Sequence, residues 1–287
     1  MRIYITGCKG FLGRELNKAF ADDTLAGADL PEMDVTDRVA ITDSIADFAP
    51  DVVIHSAAWT DVEACANDPE RAYRANTIGT QNVALACAAA NAAMLYVSTN
   101  EVFDGKASQL YREWDPPNPI NFYGQSKAAG EWLVSHLLSR FYIVRTAWLY
   151  APGGRNFPHR VLQLADERGT LQVVTDEVGN PTYAPDLAEA IACLVRVGVY
   201  GIYHLTNWGY CSRYEFAHEV LRLAGRQNVP IEPILLSAFR RASTPPRFAP
   251  LANTAAAALG IKLRLWQEAL ADFLANHPPL EKTATPG

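Results

Sequence analysis

A chain of 287 residues, 49% of them apolar, holds enough material for one large domain or for a large domain carrying a smaller one. Its net charge of −6, without any basic block, excludes nucleic acid and anionic membrane surfaces as expected partners, and no apolar run is long enough to span a membrane. Five scattered cysteines (Cys8, Cys65, Cys87, Cys193 and Cys211) form no Cys-x-x-Cys and read as thiols of a reducing compartment, so the cytoplasm is the expected location.

Met1 leads into Arg2 to Thr6, a β-branched run that reads as a first strand and not as a signal peptide. Gly7-Cys-Lys-Gly10-Phe11-Leu12-Gly13 follows, and then helical periodicity from Arg14 to Phe20. In a strand–turn–helix context glycines let backbone approach a pyrophosphate, and the helix N-terminus offers unpaired N–H groups to it. These loop residues are therefore expected to hold a dinucleotide. The next strand, Thr24 to Asp29, places a carboxylate about twenty residues beyond the glycines, where it can bind ribose hydroxyls and repel a 2′-phosphate. That leans towards NADH over NADPH, with Asp34 competing for the assignment and Val35 expected beside the cofactor.

Val39 to Phe48 reads as a short amphipathic helix stopped by Pro50, and Asp51 to His55 as a buried strand. After it, Ser56, Ala57, Ala58 and Thr60 are small enough to lie against a cofactor. Asp68 as N-cap and Pro69 at the first helical position open a long helix to about Asn91, with Asn76 on its inner face towards the cofactor. Ala93 to Ser98 is the fourth expected strand and Phe141 to Thr146 the fifth. Strands alternating with helices at this spacing imply an α/β fold with a parallel, doubly wound Rossmann sheet. Ligands on such sheets sit beyond the carboxyl ends of the strands, where Gly7, Ser56, Thr99 and Trp148 fall.

Between the last two of those strands, Phe122 to Leu138 is patterned as a helix and opens with Tyr123-Gly-Gln-Ser-Lys127. Positions i and i+4 share a helix face, so phenol and ammonium point the same way. A free phenol titrates near pH ~10, and a nearby cation is expected to bring it down towards a useful acid.

After Trp148 loops rich in Pro and Gly alternate with short elements at Asn156 to Arg168, Leu171 to Val174, Pro185 to Val195, Ile202 to Thr206, Arg213 to Ala224 and Leu265 to Ala275. The expected division is a dinucleotide-binding domain over 1–150, rejoined by elements at about 171–200, a smaller α/β substrate-binding lobe over 151–276, and a flexible tail over 277–287. No internal repeat is visible.

The glycine motif, Ser98-Thr99 and Tyr123-x-x-x-Lys127 together resemble the extended short-chain dehydrogenase/reductases. Within that superfamily, Ala57-Ala-Trp-Thr-Asp-Val62, Ser98-Thr-Asn-Glu-Val-Phe-Asp-Gly105, Tyr123-Gly-Gln-Ser-Lys-Ala-Ala-Gly-Glu131, Arg145-Thr-Ala-Trp-Leu-Tyr150, Asn156-Phe157 and Gly179-Asn-Pro-Thr182 resemble the dTDP-4-dehydrorhamnose reductase family. The resemblance spans Met1 to about Phe273. It implies hydride transfer from NADH or NADPH to C4 of a dTDP-linked 4-keto-6-deoxyhexose, with Tyr123 protonating the forming alkoxide. Lys127 would tune Tyr123 and hold the nicotinamide ribose, and Thr99 would hydrogen-bond the carbonyl oxygen. Ser98 would line the cofactor site. Val62, Asn100, Glu101, Trp148, Asn156, Phe157 and Arg247 match positions around the sugar nucleotide, with Arg247 assigned to a phosphate oxygen. Family habit also implies a homodimer, and Mg²⁺ at a dimer contact near a carboxylate such as Glu15, although one carboxylate makes no metal site and solvent exposure is expected there.

Two departures bear on the substrate. The family carries Asp-Tyr where this chain has Asn100-Glu101, and Gln where it has Glu177. The Glu-Val segment resembles sugar-nucleotide 4,6-dehydratases, but Asn100 has no titratable proton to serve as their acid. Glu215-x-x-His218 has the spacing of a di-metal ligand pair, lacks a second pair, and reads as a solvated helix face. His55, His136 and His204 are isolated and are expected in core or surface roles. Two other functions compete: an epimerase or dehydratase that retains NAD⁺ and returns the hydride, and a non-catalytic dinucleotide-binding subunit such as the β subunit of methionine adenosyltransferase.

Overall fold

The computed structural model describes residues 1–153, 156–238 and 241–277, so the expected tail from residue 278 onward lies outside the described residues. Strands β1 (Arg2–Thr6), β2 (Thr24–Ala28), β3 (Val52–His55), β4 (Ala93–Thr99) and β5 (Phe141–Thr146) join the strand Gly201–His204 in one sheet. Its order is Gly201–His204, β5, β4, β3, β1, β2, and every pairing is parallel. The chain runs outward from β1 to β2 and then returns to β3 on the other side. That reversal opens a crevice beyond the carboxyl ends of β1 and β3.

The central strands are apolar on both faces because helices cover both. On one face α1 (Phe11–Ala19) and the helix Ala184–Val197 bury Leu12, Leu16, Leu187 and Ile191 against Ile3, Ile5, Ile54 and Leu95. On the other, α2 (Arg38–Phe48) and the later helices bury Ile41, Ile45, Val83 and Val134 against Tyr4, Val53, Met94 and Ile143. Thus the helix Ala184–Val197 packs on the sheet, whereas Leu171–Val174 pairs with Ile231–Ile234, away from it.

Between β3 and β4 the chain forms α3 (Val62–Asn67), α4 (Pro69–Tyr73), a π-helical turn (Arg74–Ile78) and α5 (Gly79–Ala89). Asp68 caps α4 by accepting from the Arg71 amide at 3.0 Å. The long helix is therefore present with a π-turn inside it, centred on Asn76; such turns re-aim side chains. α6 (Phe122–Leu137) starts on Asn121, whose side chain accepts from the Gly124 amide at 2.8 Å. The lobe beyond Trp148 has a core of Tyr150, Leu162, Phe216, Trp266 and Phe273. Glu15 corrects the expectation of exposure: it is 5% exposed, both carboxylate oxygens 2.9 Å from Lys18 Nζ. Among the described residues no helix is long and apolar enough to cross a membrane.

Candidate active site

The glycine loop is tight enough to dictate its own composition. Gly7 has φ +71°, and a Cβ there would stand 2.7 Å from the Ala57 nitrogen; one on Gly13 would stand 2.0 Å from the Gly7 oxygen. α1 starts on Gly10 with no side-chain cap, and Phe11, Leu12 and Gly13 line the crevice with first-turn amides that have no acceptor among the described residues. Open N–H groups at the positive end of a helix dipole fit a dinucleotide pyrophosphate.

Two cavities meet at Gly7, Gly10, Ser56 and Ala58, making one continuous crevice. The outer, of about 550 Å³, is walled by Asp29, Asp34, Val35 and Ala57 together with Arg71 and Arg74. This is where the adenosine end of a dinucleotide would lie. Asp29 is already engaged there: its oxygens accept from the Lys9 amide at 2.7 Å and the Leu30 amide at 2.8 Å. Asp34 likewise accepts from the Thr36 amide at 2.8 Å. Carboxylates and guanidinium groups thus line the same end of the crevice.

The inner cavity, of about 440 Å³, receives Thr60 and Val62 from one side and Ser98, Thr99, Asn100 and Glu101 from the end of β4. Tyr123, Lys127 and Trp148 complete it. Tyr123 is 9% exposed and Lys127 2% exposed, with Lys127 Nζ 4.1 Å from the centroid of the Tyr96 ring. The expected electrostatic coupling is corrected here. Burial raises the Tyr123 phenol above its ordinary value, the Glu101 carboxylate adds to the rise, and a hydrogen bond with Thr99 opposes it. Lys127 is itself lowered to about 7 by burial, with Glu131 acting in the opposite direction. The helix spacing puts both groups on the cavity as expected, but burial dominates and holds the phenol above its ordinary value. Glu101 is pushed up to about 7, chiefly by burial, against a hydrogen bond from Asn121 at 2.6 Å.

Several residues around the cavity also hold its frame, Ser98 and Asn100 while lining it. Asn76 does not line the crevice; its amide accepts from Trp59 N at 2.7 Å and donates to Trp59 O and Ser126 Oγ, both at 3.0 Å. It ties the loop after β3 to α6. Ser98 donates to Glu131 at 2.5 Å, and Glu131 pairs with the buried Arg145 at 2.7 Å. His55 is in the core as expected, between the hydroxyls of Thr6 (2.6 Å) and Thr80 (3.0 Å), and is lowered to about 3 by burial. Asn100 is buried and donates to Ala249 O at 3.3 Å.

Three substrate assignments fall away from the crevice lining. Asn156 caps its helix by accepting from the His159 amide at 3.1 Å. Phe157 stacks on Phe216 with ring centroids 5.1 Å apart. Arg247 is exposed and lies 3.6 Å from Asp176. Conversely, Arg213 lines the inner cavity and was missed, because nothing in its local pattern links it to Trp148. The only available signal was Glu177, noted as a departure, which pairs with Arg213 at 2.8 Å and Arg241 at 3.1 Å. Among the described residues no cluster of three or more His, Cys, Asp or Glu is placed to hold a metal.

The family model described as RmlD substrate binding domain matches residues 1–278. The spore coat polysaccharide biosynthesis protein SpsK of Bacillus subtilis is 36% identical over 275 residues, covering 95% of this chain and 96% of that protein. A dTDP-4-dehydrorhamnose reductase of Streptomyces griseus is 37% identical over 280 residues, covering 94% and 92% respectively. The crystal structure of a dTDP-4-dehydrorhamnose reductase from Bacillus anthracis in complex with NADP is similar with a TM-score of 0.92 at 34% identity, covering 96% of this chain and 99% of that one. With the glycine crevice and the Thr99, Tyr123, Lys127 cluster in place, these matches lead to one conclusion: the chain belongs to the RmlD substrate binding domain family.

Proposed function

We propose that the protein reduces the C4 ketone of a dTDP-linked 4-keto-6-deoxyhexose, dTDP-4-dehydro-L-rhamnose to dTDP-L-rhamnose, using NADPH or NADH. The observation that carries the reading is the convergence of Thr99, Tyr123 and Lys127 on the cavity that the glycine loop also lines. When bound, the reduced nicotinamide supplies the hydride that reaches C4. The first-turn amides of α1 hold the pyrophosphate, and Ser56, Ala58 and Thr60 provide a close, small-residue wall along the crevice. Thr99 donates to the ketone oxygen, and Tyr123 gives that oxygen its phenolic proton as negative charge develops there. The Lys127 ammonium stabilises the phenolate that remains. Donors aimed at the oxygen act where the charge grows, so they lower the barrier more than they tighten ground-state binding. The raised pKa of Tyr123 suits this direction of reaction, because the phenol enters the step carrying its proton.

The test is consumption of reduced nicotinamide on addition of a dTDP-4-keto-6-deoxysugar, run with both cofactors and followed by product identification. Loss of reduced-nicotinamide absorbance, abolished by Tyr123→Phe, supports the reading. Turnover with tightly held NAD⁺ and no added reductant would instead assign an epimerase-type reaction. Dinucleotide binding with no turnover of any 4-keto sugar nucleotide would assign a binding subunit.

A further inference from the structure

The inner cavity takes all but one of its lining residues from the chain up to Leu149; the exception is Arg213, from the second lobe. Its guanidinium lies over the Trp148 ring, 3.6 Å from the centroid, and 5.2 Å from the centroid of Phe157. Its Nε donates to Glu177 Oε1 at 2.8 Å, and its backbone amide donates to Glu177 O at 3.0 Å. Glu177 is 5% exposed and is shared, its other oxygen accepting from Arg241 at 3.1 Å. The terminal nitrogens of Arg213 make no hydrogen bond to the described residues.

This arrangement is costly unless it serves a ligand. Arg213 is the first residue of the helix Arg213–Leu223, where the helix dipole disfavours a cation. Trp148 is held at φ +44°, a strained backbone for an aromatic residue, and a Cβ on Gly179 would come within 2.7 Å of its indole. The indole is thus clamped between a glycine backbone and a guanidinium, which makes both rigid. A stacked guanidinium, tethered through Nε, presents a fixed fork of donors, and that fork matches the oxygens of a phosphate or diphosphate. Arg247, to which the sequence reading gave the phosphate, is exposed and does not line the cavity.

We infer that Arg213, positioned by Glu177 and the Trp148 ring, is the residue that reads the diphosphate of the nucleotide-linked substrate. The inference rests on the proposed reaction and adds the group that ties the substrate's anionic portion to the second lobe.

The experiment compares wild type, Arg213→Ala and Arg213→Lys in steady-state reduction, with dTDP and thymidine as inhibitors and NADPH affinity as a check on folding. Loss of charge-assisted hydrogen bonds predicts that Arg213→Ala raises KM and the dTDP inhibition constant by about 10- to 100-fold. The thymidine constant and NADPH affinity stay as in wild type. Arg213→Lys restores part of the dTDP affinity, because it keeps the charge but loses the fork. If Arg213→Ala binds NADPH normally and dTDP as tightly as wild type, the assignment is wrong. A wild type that reduces the ketone yet binds dTDP no better than thymidine also overturns it, while leaving the reaction standing. A wild type that neither reduces any 4-keto sugar nucleotide nor binds dTDP overturns both.

Discussion

The two ends of the crevice are built from different materials. At the cofactor end the contacts are backbone: a glycine turn, three open amides at the start of α1, and small residues after β3. At the other end the charged side chains of Glu101, Lys127 and Arg213 line the cavity, and behind Arg213 a chain of ion pairs runs through Glu177 and Arg241 to Glu63. Backbone contacts tolerate little change in volume and are nearly indifferent to pH. Side-chain contacts tolerate changes in volume better but depend on charge and on where the second lobe sits.

The largest effect should come from the group at the meeting of the two ends. Tyr123→Phe removes the proton donor while leaving the ring, so kcat should fall by about 10²- to 10⁴-fold with NADPH affinity retained. Steady-state and fluorescence titration together check this, and an unchanged kcat would exclude Tyr123 as the acid. Next is the backbone end. Gly13→Ala puts a methyl 2.0 Å from the Gly7 oxygen, so the loop must shift; roughly 1–3 kcal/mol of stability should be lost, with dinucleotide affinity lowered. Thermal unfolding with and without NADPH separates the two losses.

The pH response sharpens the comparison. Lys127 loses its charge and Glu101 gains one as pH rises through about 7. The first removes stabilisation of the phenolate, and the second makes Tyr123 a weaker acid, so kcat/KM should fall above about pH 7. Glu101→Gln should make that limb shallower, from two groups to one. A profile flat from about pH 6 to 9 in the wild type would contradict both assignments.

Stability should respond in the opposite direction. His55 and His204 are each lowered to about 3, chiefly by burial, so below their ordinary value near 6.5 the unfolded chain binds two protons that the fold does not. Glu101, raised to about 7 from 4.5, takes up one in the fold over part of that window. The net difference is one proton, or about 1.4 kcal/mol lost per pH unit on acidification between pH ~6.5 and ~4.5. Chemical denaturation across that range measures the slope.

The smallest effect belongs to the partly exposed network. Arg241→Ala removes ion pairs with Glu63 and Glu177, and a change in kcat/KM of only a few-fold is expected, with NADPH affinity unaltered. A loss as large as that of Arg213→Ala would mean that Arg241 itself meets the substrate.

What could be read from the chain follows this division. The glycine turn, the alternation of strands and helices and the i, i+4 pair of Tyr123 and Lys127 are local patterns, and each residue's place follows from its near neighbours. The helix cap of Asp68 belongs to the same class. Asn76 was placed on the inner face of its helix, but the π-turn points its amide at Trp59 and Ser126, a geometry that periodicity does not encode.

Long-range electrostatics lay further from view. Spacing alone put an ammonium beside a phenol; burial then raised the phenol instead of lowering it, because desolvation depends on everything packed around the pair. Asp29 has the spacing of a ribose ligand and lines the outer cavity, and only the fold shows that its oxygens also accept from the amides of Lys9 and Leu30. Arg247 and Arg213 were exchanged for the same reason. The sequence by itself determined the sheet, the glycine loop and the Tyr123–Lys127 spacing, because hydrogen bonding and periodicity act over a few residues. Only the tertiary structure decided which charges are buried and which arginine faces the crevice, because dielectric and ion pairing are properties of the packed whole.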